Sequence, residues 1–203
     1  MRNTYIGFNT TRKPFDNYLF RQAFSLAINR EALVKIKGKG DVANHTWIPP
    51  SLSSLFDYET LKKYQAYNPE LARAKLAMAG FPDGKGFPEL EFLIPSREDS
   101  KLLAESLQSM WAKELNVKIK IIAMEWKVFL STLESNPPDL FRLNWGADYP
   151  DPDTFMQLFT SKNAINYGKF SNLEYDRLVQ LAAATSDTKQ RRLLYTQAEK
   201  LLT

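Results

Sequence analysis

A chain of 203 residues, 44% hydrophobic and 13% aromatic, is long enough for one domain or one large lobe with a core of its own. Its net charge of +4 is interleaved rather than gathered into one block, which argues against a nucleic-acid binder. With no cysteine, disulfides, thiolate catalysis and cysteine metal sites are excluded, and no stretch approaches the apolar length of a membrane span.

In chain order, Tyr5 to Asn9 reads as a short β run. Asp16 or Asn17 caps a helix that carries Phe20, Ala23, Phe24 and Ala27 at helical spacing. Lys35, Lys37 and Lys39, interrupted by Gly38, read as a solvated turn after a helix. Residues 38–67 read as one long ordered loop, with His45 as a loop residue, since a lone histidine cannot build a histidine-rich metal site or a triad by itself. Asn68 caps and Pro69 opens the next helix, Gly80 ends it, and Pro82 to Pro88 forms a turn.

From Leu90 the pattern becomes regular. Leu90 to Ile94 is a strand, and Ser96 caps a long helix with Leu103, Leu107, Met110 and Trp111 on one stripe. Val117, Ile119 and Ile121 alternate with Lys118 and Lys120 as a second strand. Trp126, Phe129, Leu130 and Leu133 make another helical stripe, and Leu140 to Trp145 is a third strand. This order predicts an α/β fold with a largely parallel β-α-β-α-β core and right-handed crossovers. Flanking helices follow near 173–185 and 188–202, the second opened by a capping box of Asp187 and Gln190.

The third strand ends on the most informative stretch of the chain, Arg142-Leu143-Asn144-Trp145-Gly146-Ala147-Asp148-Tyr149-Pro150-Asp151-Pro152-Asp153. Alternation puts Phe141, Leu143 and Trp145 on one face and Arg142 and Asn144 on the other. Pro150 and Pro152 stop the strand, so Asp148 sits just past its carboxyl end, where open α/β sheets bind small ligands. A carboxylate beside Trp145 and Tyr149 suits an ammonium group; a loop-capping Asx residue is the alternative. Arg142, inside an apolar strand, needs an anion or carbonyl partner, either in a ligand or in an internal ion pair. Trp145 and Gly146 would wall and floor such a site, with Trp145 as plain core the other possibility. Asp151 and Asp153 fit an N-cap and a first helical turn better than a metal pair. Asn166, Tyr167 and Gly168 precede a helix, as a turn or as further ligand contacts. The serine-hydrolase elbow, the phosphate loop and the dinucleotide fingerprint are all absent from the sequence. Glu89 and Glu91 share one strand face near its start and read as solvated charge.

Three stretches resemble the extracytoplasmic solute-binding proteins of the oligopeptide/dipeptide/nickel ABC importers, family 5. They are Trp145-Gly146-Ala147-Asp148-Tyr149-Pro150-Asp151-Pro152-Asp153, Phe8 to Asn17 running into Arg21 to Arg30, and Asn68 to Phe81. The resemblance runs almost end to end and implies a lobe like those of type II periplasmic binding proteins. It implies a binding role without catalysis, cofactor or metal. A peptide ligand would be held through its main chain, with Asp148 on the α-ammonium and Arg142 as counter-charge. Trp145, Gly146, Tyr149, Asn166 and Tyr167 would complete the ligand-binding set. The family's carboxylate-binding histidine and arginine fall near Ser100 and Leu133, neither of which can supply positive charge, so peptide length is left open.

The resemblance also implies that residues 1–203 are a single ligand-binding lobe of a two-lobed protein. Residues 1–89 would supply a hinge strand, helices and a long loop, and 90–203 the α/β core and C-terminal helices. The partners implied are a peptide, the membrane permease of an ABC importer and a missing N-terminal lobe of the same protein, with no nucleic acid. Such a protein would be periplasmic or anchored on the outer face of the cytoplasmic membrane. No basic-apolar-small export signal opens the sequence, so the chain is expected to be a part of the whole, able to fold but binding ligand poorly alone. A hydrolase or transferase using acids around Asp148, a binding protein of the same family for a non-peptide ligand, and a protein-interaction module are the competing readings.

Overall fold

The computed structural model describes residues 1–38 and 40–202; Lys39, the last lysine of the basic run, and Thr203 lie outside the described residues. The chain divides into two compact units. One comprises Ile6–Ala43 and Ala66–Leu143, and the other comprises Met1–Tyr5, Asn44–Gln65 and the chain from Asn144 onward. Strand β1 (Arg2–Phe8) opens the chain, longer at its start than the run read from the sequence.

In the first unit, α1 (Tyr18–Leu26) begins where the Asn17 side chain accepts the N–H of Leu19. Next, α2 (Arg30–Lys37) corrects the reading of Lys35 and Lys37 as a turn. Asn29 caps this helix by accepting the N–H of Ala32, and both lysines sit in its last turn, where positive charge faces the free carbonyls. The long loop is also corrected, because residues 38–67 contain short helical pieces. Pro50–Leu55 and Lys62–Gln65, both in the second unit, are 3-10 turns around α3 (Tyr58–Leu61), which is capped by the side chain of Asp57. In α4 (Pro69–Met78) the expected signals hold: Asn68 accepts the N–H of Leu71, Pro69 is at the first position, and Gly80 turns away at φ +101°.

The parallel core then forms. Strand β2 (Leu90–Pro95) leads into α5 (Glu98–Leu115), β3 (Ile119–Met124), α6 (Trp126–Ser135) and β4 (Leu140–Gly146). The sheet order is β1-β4-β2-β3, and β2 pairs parallel with both β3 and β4, from Leu90 opposite Ile119 and from Phe92 opposite Leu140. Ser96 does not cap α5. Its N–H is spent on the Met124 carbonyl at 2.7 Å, extending the β2–β3 pairing, and Arg97 takes the cap position without a side-chain bond. Trp126 is likewise not core: it is 49% exposed and stacks on buried Phe129 at 5.7 Å.

Apolar spacing on α1, α4 and α5 buries Phe20, Phe24, Leu76, Leu107 and Trp111 against Phe92, Ile94 and Leu140 of the sheet. The Trp111 indole N–H reaches the Phe24 carbonyl at 3.0 Å, so its polar atom is satisfied inside the core.

The second unit is built on α7 (Asp153–Met156), α8 (Leu173–Ala184) and α9 (Thr188–Leu202). Asp187 accepts the N–H groups of Lys189 and Gln190, the expected cap of α9. Its core gathers Trp47, Ile48, Phe56, Phe155, Met156, Tyr175 and Tyr195. The Trp47 indole bonds the Phe155 carbonyl at 2.5 Å, and Tyr175 bonds the Met156 carbonyl at 2.5 Å.

Candidate functional site

Arg142 lies in the first unit, on β4, with its side chain 4% exposed. Its Nη2 is 3.4 Å from Oδ2 of Asp99 in the first turn of α5. Burial opposes ionisation of Asp99, but a bond from Arg97 and the charge of Arg142 hold its carboxyl below the usual range. Arg142 thus has an internal ion pair. Nearby in sequence on α5, the Ser100 hydroxyl is fully buried with no hydrogen-bond partner among the described residues.

The remaining residues picked from the sequence lie in the second unit. The Trp145 ring is half-buried against the core of this unit, and its indole N–H donates to the Thr154 carbonyl at 2.7 Å. Gly146 ends β4 exposed, and a Cβ added there would meet nothing within 4 Å, so no close approach demands glycine at that position. Asp148 is exposed, and its N–H faces the Thr154 hydroxyl at 3.4 Å. Among the described residues neither a side chain nor a backbone N–H bonds its carboxylate, so it is not the Asx cap of its own loop. Tyr149, 46% exposed, donates its hydroxyl to Asp153 at 2.7 Å. That bond, with burial and the negative charges of Asp153, Asp151 and Asp148, pushes the phenol up to about 12.

Asp151 and Asp153 anchor the loop rather than a metal. Asp151 Oδ1 accepts the Asp153 N–H at 2.8 Å, the capping bond expected from the sequence, although Pro152 occupies the cap position itself. The same carboxylate meets Arg191 of α9 through two bonds of 2.7 Å each. Asp153 Oδ2 accepts from Tyr149 and from Gln157 Nε2 at 2.5 Å. Among the described residues, no group of three or more histidine, aspartate or glutamate side chains is arranged to hold a metal. A pocket of about 390 Å³ in this unit is lined by Asp151, Arg191 and Arg192 together with Leu55 and the 183–188 turn, and none of the residues picked from the sequence for ligand contact lines it.

Asn166 is 3% exposed, and its side chain is committed to its own loop. Nδ2 reaches the carbonyls of Phe170 at 2.8 Å, Thr160 at 3.2 Å and Phe159 at 3.4 Å, and Oδ1 accepts the Phe170 N–H. Tyr167 is 7% exposed in the same segment. Sequence reasoning did not find Arg191, Tyr195 or Glu199. Their spacing of four on α9 marks one helix face, but each has a partner 40 to 152 residues away.

Together these features define an α/β lobe that presents a strand-end loop bearing a free carboxylate, as in proteins that bind small solutes. The model of the bacterial extracellular solute-binding proteins, family 5 (middle part), matches residues 1–167, and the chain belongs to that family. It is 33% identical over 205 residues to di/tripeptide-binding protein 1 of Pseudomonas aeruginosa, covering 98% of this chain and 37% of that protein. Among solved structures, a periplasmic oligopeptide-binding protein of an oligopeptide ABC transporter from Borrelia burgdorferi superposes with a TM-score of 0.90 at 26% identity, covering 99% of this chain and 40% of that one. OppA of Haemophilus influenzae, in complex with RPPGFSPFR, superposes with a TM-score of 0.89 at 25% identity over 100% of this chain and 40% of its own. The chain therefore spans about two fifths of the length of these relatives. The family is one of solute-binding proteins rather than catalysts, which sets the hydrolase or transferase reading aside.

Proposed function

We propose that this chain is the ligand-binding lobe of a substrate-binding component of an ABC importer, and that its ligand is a peptide. A second, N-terminal lobe of the same protein would complete the site, with closure of the two lobes around the ligand and delivery to a membrane permease. The work would be done outside the cytoplasmic membrane, in the periplasm or on an anchored protein. The observation that carries the reading is Asp148: an exposed carboxylate without an internal partner, just past the carboxyl end of a parallel strand, in a chain of this family.

In this reading Asp148 receives the peptide ammonium, a charge-assisted bond. Trp145 and Tyr149 flank it, Trp145 with its indole tied to Thr154 and Tyr149 with its hydroxyl tied to Asp153. Gly146 leaves open space at the strand end. Asn166 and Tyr167 then shape the site chiefly by holding their loop. Relatives whose names specify di- and tripeptides or oligopeptides, and the solved peptide complex, support a peptide as the ligand.

The test is native mass spectrometry of ligand carried through purification by the full-length protein. Peptides of mixed sequence with free amino termini are expected; a single non-peptide ligand would replace this reading with the other one in the same family. Isothermal calorimetry with free and N-acetylated peptides then addresses Asp148 directly.

A further inference from the structure

Nothing in the residue pattern gives α9 a part in ligand recognition, yet its Arg191 bonds α8, α9 and the Asp148 loop at once. The guanidinium grips Asp151 with both nitrogens of its fork at 2.7 Å, its Nε donates to the Ala182 carbonyl of α8 at 3.1 Å, and its Nη2 donates to the Tyr195 hydroxyl at 3.0 Å. The guanidinium also lies 4.9 Å from the centre of the Tyr195 ring. The fork is thus fixed on the helix side before it reaches the loop. A bidentate arginine fixes direction as well as distance, which a single charge does not.

The loop side is as closely connected. Asp151, held by Arg191, accepts the Asp153 N–H at 2.8 Å, and Asp153 holds the Tyr149 hydroxyl at 2.7 Å. The Asp151 N–H in turn bonds the Tyr149 carbonyl at 2.9 Å. The chain of contacts runs from α8 and α9 through Asp151 to Asp153 and to Tyr149, the residue after Asp148. Asp148 itself has no side-chain anchor, so its position is inherited from Tyr149, from Ala147, whose N–H bonds the Met1 carbonyl at 2.9 Å, and from its own N–H.

We infer that Arg191 is a positioning residue for ligand binding: by clamping Asp151 it holds the 148–153 loop so that the Asp148 carboxylate is set in place before the ligand arrives. The recognition part of this inference rests on the proposed role of Asp148. It predicts affinity lost without any contact between Arg191 and the ligand, because ordering a loop on binding weakens affinity.

The first measurement is amide hydrogen exchange in the unliganded protein. Arg191→Gln leaves Asp151 without its charge partner, and amides of 147–154 are expected to exchange about tenfold faster or more, the equivalent of one charge-assisted bond. Amides near Val179 and Ala198, in the packed middles of α8 and α9, should keep their rates. If Arg191→Gln does not fold, Arg191→Lys, which keeps charge and loses the fork, should show an intermediate acceleration confined to the same loop. Unchanged loop exchange in the folded variant overturns the inference, whatever Asp148 does.

The second measurement uses trialanine and N-acetyl-trialanine on the full-length protein. Arg191→Lys is expected to weaken the free-amine peptide about three- to tenfold and the acetylated one little, and the difference should vanish in an Asp148→Asn background. Faster loop exchange with equal loss for both peptides would support the clamp and overturn the ammonium role of Asp148. Faster exchange with no loss for either peptide would overturn Arg191 as a residue that matters for binding.

Discussion

The buried carboxylate of Glu199, near the end of α9, closes on the backbone N–H groups of Trp47 and Ile48, the second at 3.1 Å. The two ends of this contact are 152 and 151 residues apart in sequence, so one side chain ties the 44–65 segment to the last helix of its unit. Burial raises the carboxyl to about 7, with the two amide bonds only partly offsetting it, and the Tyr175 phenol feels its charge.

A carboxyl whose pKa is raised on folding binds its proton more tightly in the folded state. Stability should therefore rise as pH falls from about 8 through 7 towards the unfolded value of 4.5, and the ionised form is the costly one above 7. The full effect is on the order of 3 kcal/mol. Thermal unfolding followed by near-ultraviolet circular dichroism should show it, and Glu199→Gln should flatten the trend between pH 5 and 8. A slope unchanged in that variant would place the titration elsewhere.

A second expectation concerns Gly7. An added Cβ there would lie 2.1 Å from Cζ of the Phe141 ring, and Phe141 is 1% exposed. The tip of the ring occupies the space a side chain would take, so Gly7→Ala must move a buried aromatic and should cost about 1–3 kcal/mol. Urea unfolding measures this. Shortening the ring in Gly7→Ala/Phe141→Leu should give a combined loss smaller than the sum of the two single losses, because each change relieves the other.

Asp148→Asn in the full-length protein should weaken free-amine peptides roughly tenfold to over a hundredfold, the range of a charge-assisted bond of roughly 1.5–3 kcal/mol. N-acetylated peptides should be scarcely affected, since they bring no charge to lose. Calorimetry over the four combinations of protein and peptide reads the coupling directly. Equal losses would mean that Asp148 shapes the loop rather than the ligand contact.

Asn166 separates loop-building from ligand contact. Its side chain bonds three loop carbonyls and one N–H from a position 3% exposed, so Asn166→Ala strands buried polar groups. A loss of about 1–3 kcal/mol is expected in urea unfolding. Ligand affinity of the folded protein should fall far less than for Asp148→Asn; a comparable fall would give Asn166 a direct part in binding.

The signals legible in the sequence were local ones. Asn17, Asn68 and Asp187 cap helices because a side-chain oxygen reaches an N–H two or three residues on, a contact that spacing alone specifies. The parallel β2-β3-β4 core was legible because alternating and helical apolar periods succeed one another from Leu90 onward. Where a local signal had a competitor, the sequence misled. Ser96 looks like a cap but pairs with Met124 in the sheet, and Trp126 sits on a helical stripe whose edge faces solvent.

Residue pattern alone places Asp148 on a loop past a strand end, with Trp145 and Tyr149 beside it. What holds that loop was decided only by tertiary structure. Asp151 reads as a cap, and it does accept the Asp153 N–H, but its stronger partner is Arg191, 40 residues on. Likewise nothing in the spacing of α9 tells that Glu199 will be buried against Trp47. A cap is a contact within one turn of chain, so residue type and spacing suffice to predict it. An ion pair or a buried carboxylate clamp depends on which helix faces packing brings together, and that is known only once the hydrophobic core has formed.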